Sequence, residues 1–147
     1  MEHSLQTKEE FAMRRLVAIP SAALFLGIAT MVLAASNRHV TADFTPLASN
    51  GISGNVVITE SPQGGTNLRL QLKGLQPGTD YVSQHFTSQS CQFEAPSDQN
   101  LVATFRPNPS GMAIVTTKLG VDLTQIGSIS VRPVSDQTVS ACATIPQ

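Results

Sequence analysis

The 147-residue chain has no tryptophan, one tyrosine, three histidines and two cysteines, and only 13% of its residues are charged. Each scarcity closes a class of function. Nine Lys+Arg against ten Asp+Glu leave a formal charge of -1, so there is neither a basic footprint for nucleic acid nor an acidic tail for a cationic partner. Two cysteines by themselves make a poor zinc site, and neither belongs to a C-x-x-C redox pair. Ser, His and Asp are all present, but no G-x-S-x-G elbow is, and alternation along an extended run sends Asp80 and His85 to opposite faces. Hydrolase chemistry is unsupported. Gly64-Gly65 lacks the strand-to-helix setting of a phosphate loop and is better read as a hairpin turn.

What the chain does have begins with an export segment. Arg14 and Arg15 precede Leu16 to Ala35, an apolar run broken only by Pro20, Ser21, Gly27 and Thr30, which matches a basic n-region followed by an h-region. Val32 and Ala34 fit a cut before Ala35. A run of about 20 residues is also long enough to stay in the bilayer as an anchor, with the arginines cytoplasmic. Residues 1–35 are therefore an N-terminal extension with a signal peptide or membrane anchor, and both outcomes are extracytoplasmic: secreted, or attached through residues 16–35. Glu2, Glu9 and Glu10 are foreign to an n-region, and Met13 makes the better start. No cysteine lies near the cut, which argues against a bacterial-type lipoprotein.

Residues 36–50 read as a polar linker carrying a candidate edge strand near Phe44 that ends at Pro46, since proline cannot donate to a ladder. From Gly51 to Gln147 the pattern is that of one β-domain. The leucine stretch organises it: Leu68, Leu70 and Leu72 alternate with Arg69, Gln71 and Lys73, the period of a half-buried antiparallel strand. Ser53 to Glu60 precedes it across Ser61 to Thr66 as the other arm of a hairpin. Gly74 and Pro77-Gly78 then turn the chain into a further strand from Tyr81 to Thr87. This predicts Leu72, Leu75 and Tyr81 as core residues and Gly78 as the turn glycine least tolerant of a side chain.

Beyond a polar loop that ends at Asn100, Leu101 to Arg106 and Met112 to Leu119 read as a second hairpin about Pro107 to Gly111. One helical turn is expected at Asp122 to Gln125, with strands at Ser128 to Arg132 and Thr138 to Ile145. The pattern is all-β: an antiparallel Greek-key sandwich or flattened barrel of seven to eight strands, preceded by an N-terminal signal or anchor helix. In an exported chain Cys91 and Cys142 most simply form one disulfide. The loop it closes is worth roughly 4 kcal/mol in the chain-entropy picture. His85, which shares a face with Tyr81, Ser83 and Thr87, is more often an ordinary hydrogen-bonded side chain than a metal ligand.

Taken together, Gly51-x-x-Gly-x-Val-x-Ile58, Leu72-Lys-Gly-Leu-Gln-Pro-Gly78, His85, Cys91, Ser128-Ile-Ser-Val131 and Ser140-Ala-Cys-Ala-Thr-Ile145 resemble copper/zinc superoxide dismutase in order and spacing over residues 51–145. The L-x-G-L-x-P-G-T-x-Y stretch is also similar to fibronectin type III domains, where it lies late rather than early. Chordin-type repeat domains have a similar strand plan. The dismutase resemblance implies a Cys91–Cys142 disulfide and a metal site on the strand after the glycine turn.

The departures from that family are in the ligands. Aligned on the turn, His85 falls on the second histidine of the H-x-H pair and Ser83 on the first. Arg132 takes the place of the late copper histidine, Val139 that of the superoxide-guiding arginine, and the zinc-bearing loop is absent. Copper and zinc are accordingly not expected, nor is dismutase activity. The resemblance then implies an exported, non-catalytic module acting as a structural or binding protein of the cell envelope or exterior, with a protein or envelope partner. The alternative is a degenerate dismutase or metal-binding protein using His85.

Overall fold

Alternating side chains decide where this chain bends and what it buries. The computed structural model describes residues 37–47, 49, 51–91, 100–135 and 138–147; the signal or anchor expected over 1–35, the Met13 start and most of the loop after Cys91 lie outside them. Among the described residues, no helix is long and apolar enough to cross a membrane.

The described residues form eight strands: β1 His39–Pro46, β2 Ser53–Glu60, β3 Thr66–Lys73, β4 Tyr81–Phe86, β5 Leu101–Phe105, β6 Ala113–Leu119, β7 Ser128–Pro133 and β8 Ala141–Thr144. A 3-10 turn at Leu123–Gln125 stands where the helical turn was expected. All pairings are antiparallel, in the order β5-β4-β7-β8-β1-β2-β3-β6. The sheet curls into a flattened barrel that nearly closes where β5 and β6 come together.

The leucine strand does what its period predicts. Leu68, Leu70 and Leu72 are buried while Arg69, Gln71 and Lys73 are exposed. Across the β2–β3 hairpin, Ile58, Val56 and Gly54 stand opposite the three leucines. Removing each such side chain from water contributes about 1.5–3 kcal/mol. Leu75 and Tyr81 join the same core. The Tyr81 ring stacks on Phe105 with centroids 6.0 Å apart, and its hydroxyl accepts the Gln76 N–H at 3.0 Å, so the one tyrosine serves the core with its ring and the turn with its oxygen. At the other end of that turn, Arg106 makes a two-pronged pair with Asp80 at 2.7 and 2.8 Å. The hydrogen bond from Arg106 holds the Asp80 carboxyl below its usual range, but both groups face solvent.

Three expectations change. The candidate edge strand near Phe44 is an interior strand of eight residues: β1 pairs with β2 from His39 to Phe44 and with β8 at Thr45 and Pro46. Pro46 is tolerated because it is the last residue of the strand, beyond the end of the β2 ladder. Second, β5 and β6 do not form a hairpin; β5 pairs with β4 and β6 with β3. Their connection crosses from one edge of the sheet to the other. Asn108 shapes it by accepting the Ser110 and Met112 N–H groups at 3.0 and 2.9 Å.

Third, the ranking of the turn glycines reverses. Gly78 does occupy the positive-φ position of a turn closed by Thr79 N–H to Gln76 O, with φ 82°, yet open space surrounds the position of a Cβ there. Gly65 also has positive φ, at 76°, and a Cβ on it would run into the Leu119 carbonyl. Neighbouring backbone, invisible in a local turn pattern, sets the order.

Two outcomes follow for thermal or denaturant melts. Leu72→Ala should cost about 2–5 kcal/mol, as deletions of buried leucine do. Gly65→Val should lower the midpoint further than Gly78→Val, because both strain φ while only the former collides with backbone.

Candidate functional site

The two central strands of one half of the sheet, β4 and β7, carry polar residues on both faces. Cross-strand register pairs Val82 with Arg132, Gln84 with Ser130 and Phe86 with Ser128, and it sets Tyr81, Ser83 and His85 opposite Pro133, Val131 and Ile129. Opposed residues point the same way. Tyr81, Val131 and Ile129 belong to the hydrophobic core, so Ser83 and His85 face inward. Val82, Gln84, Phe86, Ser128, Ser130 and Arg132 face outward.

The outward face is nonetheless buried. Gln84, Phe86, Ser128, Ser130 and Arg132 are all in the buried class, Arg132 at 3% exposure. Part of the cover is the strap from Thr87 to Cys91. Ser128 Oγ donates to the Ser88 carbonyl at 2.7 Å and accepts the Cys91 N–H at 2.9 Å. Thr144 Oγ1 donates to the Gln89 carbonyl at 3.0 Å. Cys91 then bonds to Cys142 across Cα atoms 6.0 Å apart, the disulfide expected from the sequence. Cys142 lies opposite Ser130 and so on the outward face. Gln84, Ser130 and Cys142 thus form one row across β4, β7 and β8.

Within this layer Arg132 Nη2 donates to Gln84 Oε1. Burial disfavours the charged form and pulls the Arg132 pKa below its ordinary value, although a guanidinium remains protonated in proteins. The arrangement holds a cation in a buried layer. Chemically it can orient an acceptor; guanidinium and carboxamide groups supply no nucleophile, and a protonated guanidinium is not a metal ligand.

The register divides the residues that the sequence alignment had placed around one centre. His85 and Ser83 lie on the core face and Arg132 on the other, so the three do not converge. The two described histidines are on strands in different halves of the sheet: His39 on β1, bonded to Thr59 Oγ1 at 3.2 Å, and His85 on β4 opposite Ile129. Among the described residues no three His, Cys, Asp or Glu side chains cluster closely enough to hold a metal ion. Val139, aligned with the guiding arginine, is half-buried in the segment before β8. Sequence reasoning missed Gln84. Its signal was the alternation Ser128-Ile-Ser-Val-Arg132, which marks Arg132 as belonging to the non-core face, but selecting its partner requires the β4–β7 register.

Gln84→Leu should destabilise the protein by about 1.5–3 kcal/mol, the range for losing a hydrogen bond to a charged group. Gln84→Leu should cost less in an Arg132→Leu background than in the wild type, because the hydrogen bond is then already gone. A double-mutant cycle by urea unfolding measures both.

Comparison with protein-family models and with curated proteins finds no match to the chain.

Proposed function

We propose that the chain is an exported β-barrel module with a dismutase-like plan, non-catalytic, that serves the cell envelope or exterior as a structural or binding protein. The observation that carries this reading is the Gln84–Arg132 pair buried on the outward face of β4 and β7. The resemblance aligned Ser83, His85 and Arg132 with copper ligands, but the residues that share the face of Arg132 are Val82 and Gln84. Valine, glutamine and arginine do not fit copper, which needs a nitrogen-rich donor set. The alternative of a metal held through His85 loses support because that side chain faces the core beside Ile129 and Val131.

Other features agree with export. The disulfide belongs to an oxidising compartment, and the apolar run over 16–35 supplies either a signal or an anchor. The nearly even charge favours no nucleic-acid partner.

The test is elemental analysis of the purified full chain after incubation with copper and zinc salts, together with a superoxide turnover assay. The expected result is less than stoichiometric metal and turnover no faster than free ion. One tightly held equivalent with turnover above that background would overturn the reading.

A further inference from the structure

The register aligns a second surface, away from the strap, on the opposite half of the sheet. Phe44, Gly54, Leu72 and Ala113 stand side by side across β1, β2, β3 and β6. Phe44, Leu72 and Ala113 send their side chains to the core, so this row offers the outside only backbone. Gly54, at φ 147°, has no room for a Cβ against the Gln71 carbonyl, and the row stays bare at its centre. On one side it is bordered by a parallel row of outward residues, Asp43, Asn55, Gln71 and Ile114. On the other side stand Lys73 and Met112. The result is a groove of about 650 Å³ that runs across the strands, within the range of small-ligand sites.

Its lining is polar in the middle and apolar at one end. Gln71, Asp43 and Lys73 are exposed, and their two charges oppose each other; Met112 and Ile114 are 49% and 65% exposed. Asn55 Oδ1 is shielded and meets no donor among the described residues. Around the groove the wall at β6 is set in advance, because Asn108 ties its turn and Leu75 N–H bonds to the Gly111 carbonyl at 3.0 Å.

We propose that this groove binds a short, uncharged oligosaccharide, an inference that deepens the reading of a binding module and rests on it. Carboxamides donate and accept at once, as hydroxyl groups do, so the exposed Gln71 matches adjacent sugar hydroxyls with both signs of hydrogen bond, and Asn55 stands beside it in the same row. Met112 and Ile114 provide an apolar patch for the C–H face of a ring. A peptide is a poorer occupant: it binds a sheet best by adding a strand along a free edge, as β6 would offer, whereas the groove lies across the face of β1, β2 and β3, whose backbone hydrogen bonds run between the strands rather than out of the sheet. The opposed charges of Asp43 and Lys73 favour no net charge on the ligand.

Titration of the full chain with cellotetraose, chitotetraose and maltotetraose, followed by NMR, tests this. At least one should shift amide resonances of β2, β3 and β6, and Asn55→Ala with Gln71→Ala should weaken its Kd by about tenfold or more while the melting midpoint stays within a few degrees. Arg69→Ala, outside the groove, should leave binding unchanged. No shift with any of the three at about 10 mM, binding indifferent to the paired substitution, or a self-association that Ile114→Lys abolishes would each overturn the proposal. Metal loading with turnover would remove the reading of the module and leave groove binding standing; absent sugar binding in a metal-free, inactive protein would remove only the groove assignment.

Discussion

The meeting of the two halves of the sheet at β1 is the constraint on which the rest depends. β1 gives six residues to β2 but only Thr45 and Pro46 to β8, and the ladder is prolonged by the Leu47 N–H bond to the Ser140 carbonyl at 2.9 Å. Cys142 is Thr45's partner in that short pairing. The disulfide therefore anchors the strap beside the short β1–β8 pairing that joins the two halves, and the roughly 4 kcal/mol of chain entropy associated with such a loop acts there. A domain of this size has a total stability of only about 5–15 kcal/mol.

That anchoring explains why a two-sided sheet appears in a small barrel. Antiparallel strands ordinarily bury one face and wet the other. Here the β2–β3 strands obey the rule, with Arg69, Gln71 and Lys73 in water, while β4 and β7 carry Ile129 and Val131 inward and Gln84, Ser130 and Arg132 in a second buried layer outward. Burying a guanidinium costs free energy unless it is paired. The hydrogen bond to Gln84 offsets part of that cost and fixes which way the glutamine points. The same register that assembles this pair keeps His85 away from it, on the core face opposite Ile129.

The groove on the other half of the sheet follows from a different use of register. Its rows take one residue from each of four strands, and its floor depends on a glycine whose need is set by the neighbouring strand's carbonyl rather than by its own turn. Nothing about Asp43, Asn55, Gln71 and Ile114 marks them as companions along the chain, because they are brought together only when β1, β2, β3 and β6 pair.

Local periodicity and turn chemistry were enough to read the all-β class, nearly every strand, the β2–β3 hairpin, the core positions Leu72, Leu75 and Tyr81, and the cysteine pair, since each depends on residues two to seven apart or on there being only two cysteines. The interior place of β1, the separation of β5 from β6, the order of the turn glycines and the faces of His85 and Arg132 were settled by tertiary pairing. A strand's sequence states which of its side chains alternate, but which neighbour it takes, and therefore which face becomes core, depends on hydrogen bonds to segments tens of residues away. Ser83 and His85 against Val82 and Gln84 show the consequence: in a period-two structure one residue separates the core from the outer layer.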